Sequence, residues 1–156
     1  TLDEFLKLVS GKVPILVELK DQFGFLSKTT DGIEDVVAKS LKKYEGPVAV
    51  MAFNPHYVKS FGLKLPSVPR GLVTESFKHK DWPELNKKKL ISLRNLKGVR
   101  EIGASFISHK YSDLISDYIS SIPPTTKIFS WTIRNQLEMK LALRHCDNVT
   151  FEGFLP

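Results

Sequence analysis

Apolar residues along the chain alternate between helical spacing and short continuous runs. Helical spacing predicts amphipathic helices, and the short runs predict buried strands between them. The predicted strands cover residues 13–20, 48–53, 69–74, 104–108, 127–133 and 148–152. The predicted helices cover residues 2–9, 33–44, 55–62, 85–96, 112–119 and 135–145. We therefore predict a helix, then strands and helices in turn, and then a final strand.

Strands that alternate with helices usually pair in parallel through right-handed crossovers. Two architectures fit this pattern: a doubly wound open sheet, and part of a (β/α)8 barrel, which has about 250 residues when complete. The open sheet usually has a glycine-rich phosphate loop after its first strand, but residues 21–25 show no such pattern. We therefore predict an α/β fold, an incomplete TIM-type barrel of about six parallel strands, in a single domain over residues 1–156.

Length and composition suit a soluble globular domain with one core, since the chain has 156 residues. No apolar run approaches the length of about 18 residues that a transmembrane helix needs. Cys146 is the one cysteine and cannot form an internal disulfide. This favours a reducing compartment, and with no signal-peptide pattern we expect a cytoplasmic location. The net charge of +6 comes without aromatic–basic interleaving or zinc-finger spacing, so we expect no nucleic-acid partner.

The first predicted strand ends in two charged residues, Glu18 and Lys20. They are two positions apart, so both point to the same face of the strand, opposite Leu19. The carboxyl ends of parallel strands are where α/β folds place their active sites. On the residues alone, an active-site pair and a purely structural ion pair both remain open.

Four segments together resemble the glycerophosphodiester phosphodiesterase family. They occur in the order and at about the spacing of that family, in residues 13–20, 46–55, 129–134 and 147–154. The resemblance implies a TIM-type barrel and a divalent metal, calcium or magnesium. It also implies a glycerophosphodiester substrate, hydrolysed to glycerol 3-phosphate and an alcohol.

The resemblance further implies roles for four side chains. Glu18 matches a glutamate that binds the metal, and Lys20 matches the catalytic lysine that neutralises phosphate charge. Trp131 matches an aromatic residue that lines the glycerol side of the substrate pocket, with core packing as the alternative. Phe53 matches a second substrate-binding aromatic residue, although Ala52 stands where the family frequently has serine.

The opening motifs of the family, His-Arg-Gly, Glu-x-Asp and His-Asp, have no counterpart here. They carry the acid–base histidines and most of the metal ligands. Because one carboxylate is too few for a cation that takes about six oxygen ligands, we expect this chain to be catalytically incomplete. It begins without methionine, and we expect a fragment, about the last three-quarters of the barrel. The alternative is a non-catalytic partial barrel that binds or oligomerises through exposed edge strands, residues 13–20 and 148–152.

None of the four histidines is assigned as the missing acid or base. His109 follows a predicted strand, and we expect it in a partly exposed loop, with a position facing the pocket as the alternative. Glu75 and Glu152 are candidates for a further pocket acid. Of the two, Glu152 has the better predicted position, but we expect it to be an ordinary loop carboxylate, with a pocket acid as the alternative.

Overall fold

The computed structural model describes residues 1–28, 31–96, 98–120 and 122–156. Helices and strands alternate along these residues as predicted. The helices are α1 Leu2–Val9, α2 Ile33–Leu41, α3 Pro55–Lys64, α4 Lys87–Arg94, α5 Asp117–Ser120 and α6 Gln136–Ala142. The strands are β1 Ile15–Leu19, β2 Val48–Ala52, β3 Arg70–Thr74, β4 Phe106–Lys110, β5 Lys127–Ile133 and β6 Asn148–Phe151.

The strands follow one another in the sheet in chain order, β1 to β6. Pairing is parallel in β1–β2, β2–β3, β4–β5 and β5–β6. Consecutive parallel neighbours joined by helices are the arrangement of a (β/α) barrel rather than of a doubly wound sheet, in which the strand order reverses. The predicted fold class, an incomplete TIM-type α/β fold, is therefore confirmed.

The first compact unit comprises Thr1–Leu72 and Glu101–Ala104. Its core is made of buried apolar side chains, among them Leu19, Val37, Val50, Val58 and Phe61. The Arg70 side chain passes close to Gly62 and Gly103, where an added Cβ would overlap its guanidinium group. Glycine at both positions therefore makes room for a charged side chain at the start of β3.

The second compact unit comprises Val73–Arg100 and Ser105–Pro156. One part of its core is built from buried Leu114, Ile133 and Ala142, with partly buried apolar neighbours packed around them. The rings of Phe106 on β4 and Phe129 on β5 lie 4.9 Å apart, centroid to centroid. That residues 1–156 form a single domain stays a prediction.

Two predicted boundaries near β4 were wrong. The strand runs to Lys110 instead of ending at residue 108, so His109 belongs to the strand and not to a loop after it. The predicted helix over 112–119 is instead a single 3-10 turn, Tyr111–Asp113, followed by α5. A continuous helix would use the Asp113 carbonyl for an i+4 hydrogen bond, but that oxygen lies 3.2 Å from Nε2 of His109.

Candidate functional site

Glu18 and Lys20 form an ion pair at the carboxyl end of β1. The distance between Lys20 Nζ and Glu18 Oε1 is 2.7 Å, and the Glu18 side chain is 24% exposed. The predicted placement of both side chains on one face of the strand is thereby confirmed. The pair presents one hard oxygen ligand and one fixed positive charge, the chemistry that an anionic phosphate ester and its counterion require. The metal-binding role of Glu18 and the catalytic role of Lys20 stay predictions.

The loop after β1 is fixed by Asp21 and Asn54, which sequence reasoning did not single out as a pair. The Asp21 carboxylate accepts hydrogen bonds from the backbone N–H groups of Phe23 (3.1 Å) and Leu26 (2.7 Å). Fully buried Asn54 caps α3 and donates its amide to Asp21 Oδ2 (3.4 Å) and to the Ser27 carbonyl (3.1 Å). An acid directly after a predicted strand was the signal available in the sequence.

Phe53 directly follows β2 and is half-buried. Leu19 and Ala52 are register partners in the β1–β2 pair, so Phe53 lies at the same level of the sheet as Lys20. The two predicted site residues therefore directly follow neighbouring strands. The substrate-binding role of Phe53 stays a prediction.

The residues described in this chain do not by themselves fit the predicted calcium or magnesium site. Nowhere in the described ranges do three or more His, Cys, Asp or Glu side chains gather in a metal-binding group. Glu18 is paired with Lys20, and the nearby Asp21 carboxylate is occupied by backbone donors. A calcium or magnesium ion takes about six oxygen ligands. The Glu18 carboxylate alone supplies fewer than that.

A second charged pair, in the second unit, joins Glu75 to Lys110. Glu75 directly follows β3, Lys110 ends β4, and their Oε2 and Nζ atoms are 2.7 Å apart. The other carboxylate oxygen of Glu75 accepts a hydrogen bond from the Trp82 indole N–H. The hydrogen bond to Glu75 raises the pKa of Lys110 and outweighs the opposite effect of burial, so Lys110 remains cationic.

Glu152 directly follows β6 and is an exposed carboxylate, as expected for an ordinary loop residue. Its side chain is 55% exposed and pairs with Arg134 at 2.7 Å. The Glu75 side chain is only 7% exposed and has two partners. Lys110 was missed because the predicted strand stopped two residues too early.

Trp131 lies beside Lys110, its register partner across β4 and β5. The indole N–H donates to the Ser108 carbonyl at 2.9 Å, which fixes the orientation of the ring. Lys110 Nζ is 5.9 Å from the ring centroid, within the range of a cation–π contact. The ring of Trp131 is half-buried and contacts a charged group, so Trp131 is not purely a core residue. Its substrate-binding role stays a prediction.

His109 is buried on the face of β4 opposite to Lys110, because successive side chains of a strand point to opposite faces. Its Nδ1 is 2.7 Å from the Thr74 hydroxyl, and its Nε2 faces the Asp113 carbonyl. A carbonyl only accepts, so Nε2 carries the proton and Nδ1 accepts from Thr74. Burial lowers the pKa of His109 to about 4. The prediction of a partly exposed loop histidine was wrong, and this neutral, doubly hydrogen-bonded ring does not face Lys110 and Trp131.

Comparison with protein-family models and with curated proteins finds no match. Solved structures, however, match nearly the whole chain. A phosphodiesterase from Oleispira antarctica, in complex with the product sn-glycerol-3-phosphate, covers 97% of this chain at TM-score 0.66 and 19% identity. A glycerophosphodiester phosphodiesterase from Parabacteroides distasonis covers 97% at TM-score 0.64 and 16% identity. A Galdieria sulphuraria protein assigned to the same enzyme class covers 96% at TM-score 0.71 and 12% identity.

The chain has part of the glycerophosphodiester phosphodiesterase fold. The resemblance predicted from the sequence is thereby confirmed at the level of the fold, which is all that identities this low establish. The chain spans 56%, 59% and 59% of the three proteins, just over half of each. No helix in the described ranges is both long and apolar enough to cross a membrane.

Proposed function

We propose that this chain is the substrate-binding part of a glycerophosphodiester phosphodiesterase, an enzyme that hydrolyses glycerophosphodiesters to glycerol 3-phosphate and an alcohol. The observation that carries the proposal is the Glu18–Lys20 pair at the end of β1, in a chain with this fold. The Oleispira antarctica phosphodiesterase binds sn-glycerol-3-phosphate, which supports the same ligand class here.

In this proposal each predicted residue has a separate task. Lys20, whose side chain is 71% exposed, offers its ammonium group to a phosphoryl oxygen and offsets the negative charge that grows there during hydrolysis. The aromatic ring of Phe53 contacts the carbon skeleton of the substrate. A substrate-binding role is proposed separately for Trp131, which belongs to the second unit. Hydrolysis also needs a general base and a general acid, and no histidine of this chain is given either task.

A divalent metal, calcium or magnesium, is the proposed cofactor, with Glu18 as one ligand. The remaining ligands would be water or side chains other than those gathered around Glu18. The lone thiol of Cys146, which donates to the Ala142 carbonyl at 3.1 Å, supports a cytoplasmic location for the protein.

The proposal is tested by ligand preference. We expect sn-glycerol 3-phosphate, titrated into the chain in an isothermal calorimeter with calcium or magnesium present, to bind more tightly than adenosine monophosphate. Both carry a phosphate monoester, so the comparison separates a glycerol phosphate site from general attraction to anions by a chain of net charge +6. Equal affinities, or no binding of sn-glycerol 3-phosphate, would contradict the proposal.

A second candidate function is association through the end strands of the sheet. β1 and β6 each have one neighbour among the described strands, and unpaired strand edges attract further strands. Apolar side chains on both are exposed, Leu16 by 38% and Phe151 by 42%. We expect light scattering to show a dimer or larger species that dissociates when Leu16→Lys is introduced. A monomer at all concentrations would rule this function out.

A further inference from the structure

A cavity of about 840 Å³ lies between α1 and α2, within the first unit. Side chains of both helices line it, together with Gly11 and residues 44–47, which directly precede β2. This α1–α2 cavity therefore lies at the amino ends of β1 and β2, whereas Glu18 and Lys20 lie at the carboxyl end of β1. Its volume is within the range of about 300–1,000 Å³ that small-molecule sites occupy.

One wall of the α1–α2 cavity is built by Tyr44. The Tyr44 hydroxyl accepts a hydrogen bond from the Gly11 N–H at 2.9 Å, which ties the segment before β2 to the end of α1. An added Cβ at Gly46 would overlap the Tyr44 ring, so a glycine at this position leaves the ring its space. The hydrogen bond and the close approach give the cavity a preformed wall, as in most small-molecule sites.

Both helices also contribute apolar surface to the α1–α2 cavity. Leu6 of α1 is buried, whereas Val36 of α2 lines the cavity and is 66% exposed. Pro47 adds a further apolar side chain. The aliphatic stems of the lysines in the lining extend this surface. An exposed valine in a concave site can be covered by the apolar part of a ligand, which gains free energy from leaving water.

The lining carries more positive than negative charge. Lys7 of α1, Lys39 of α2 and Lys43 just after α2 line the cavity, and Asp3 and Glu45 are its acidic residues. Among the residues that the structure describes, none of the three lysines has a carboxylate within 4 Å. Ammonium groups on both walls without such partners attract an anion. The excess of one positive charge suits a ligand with a single negative charge.

We infer that the α1–α2 cavity binds an amphipathic monoanion, a carboxylate on an aliphatic chain. The carboxylate accepts charge-assisted hydrogen bonds from the lysine ammonium groups. The chain packs against Leu6, Val36 and Pro47. A phosphate monoester, with a charge of about −1.5 to −2, suits this lining less well. The inferred site is separate from the proposed phosphodiester site and does not depend on it.

The inference is tested by isothermal calorimetry on the full chain with decanoate, decyltrimethylammonium and acetate. The first two have the same apolar chain and head groups of opposite charge, while acetate has the carboxylate without the long chain. We expect decanoate to bind about tenfold more tightly than either of the other two, or better. Equal affinity for the two decyl compounds, equal affinity for decanoate and acetate, or no binding of decanoate would overturn the inference.

Lysine variants then locate the binding. Lys39→Met and Lys43→Met are each expected to weaken decanoate binding about fivefold, the upper range for an exposed ion pair. Lys42→Met is the matched control, since Lys42 is exposed next to Lys43 and carries the same charge but does not line the cavity. Its affinity for decanoate equals that of the wild type.

An equal loss in Lys42→Met and Lys43→Met would show attraction by net charge alone and would overturn the inference. Unchanged affinity in both cavity variants would overturn it too. Displacement of decanoate by excess sn-glycerol 3-phosphate would also contradict a separate site. The proposed function does not depend on decanoate binding, because Glu18 and Lys20 lie at the other end of β1.

Discussion

The Nε2–H of His109 donates to the backbone carbonyl of Asp113, 3.2 Å away, and so joins the end of β4 to the turn that follows it. The Asp113 carboxylate accepts from the backbone N–H of Ser76 at 3.0 Å, directly beyond β3. With the Thr74 hydroxyl on Nδ1 of the ring, these bonds fix the carboxyl ends of β3 and β4 to each other. Glu75 and Lys110 lie at those same ends, so their ion pair depends on these buried hydrogen bonds.

Acidification is expected to destabilise the protein between about pH 6.5 and pH 4. Burial lowers the pKa of His109 to about 4 in the folded chain, whereas the unfolded chain has the ordinary value near 6.5. Within this window the unfolded state binds the extra proton, so stability falls as the pH falls, by up to about 3 kcal/mol. Urea unfolding at pH 7, 5.5 and 4 measures the loss.

The histidine itself is followed by its ring-proton NMR signals. Burial raises the pKa of Asp113, but the hydrogen bonds from Ser76 outweigh this effect, and the pKa is lowered. Protonation of the Asp113 carboxylate therefore reduces the stability of the fold only at more acidic pH. If His109 titrates near the ordinary histidine value of about 6.5, the buried hydrogen bonds of His109 to Thr74 and Asp113 are wrong.

Asn54→Ala is expected to cost about 2–3 kcal/mol of unfolding free energy, more than the loss of a helix cap alone. The buried amide caps α3 through the His56 N–H and also donates to the carbonyl of Ser27, which the substitution leaves without that bond. Asn86→Ala is the matched control, because Asn86 caps α4 through the Lys89 N–H in an exposed setting. We expect about 1 kcal/mol there. Equal losses in chemical denaturation would show that the Asn54 loop contacts contribute nothing.

The chain alone is expected to be inactive on glycerophosphocholine, even with added calcium or magnesium. Hydrolysis requires a base, an acid and charge neutralisation at the phosphorus. The described residues gather no metal-binding group, and His109 is neutral with both ring nitrogens occupied. Phosphorus NMR of the reaction mixture detects glycerol 3-phosphate directly. The chain must be purified free of other phosphodiesterases. If it then produces more glycerol 3-phosphate than the buffer control, it is not catalytically incomplete.

The alternation of strands and helices was predictable because it depends on local patterns. Capping residues at Thr1 and Asn54, and apolar runs such as β2 and β5, mark element ends within a few residues of sequence. The placement of Glu18 beside Lys20 followed for the same reason, since two positions along a strand always share a face.

The environment of His109 and Lys110 was not predictable from the sequence. Their partners, Thr74 and Glu75, lie 35 residues away along the chain. No local pattern shows that a polar strand end is held by such bonds, and the strand was therefore ended too early. The same distance hid the partner of Glu75, which is buried and paired with Lys110.

The most direct test of the central claim is the affinity of sn-glycerol 3-phosphate for the Lys20→Met chain, measured by calorimetry against the wild type. We predict a loss of about tenfold or more, because a charged hydrogen-bond donor to the phosphate is removed. Lys64→Met is the control, since Lys64 pairs with Asp35 in the same unit and has no proposed contact with the ligand. Unchanged affinity in Lys20→Met, or an equal loss in Lys64→Met, would contradict the assignment of Lys20 as the phosphate-binding residue.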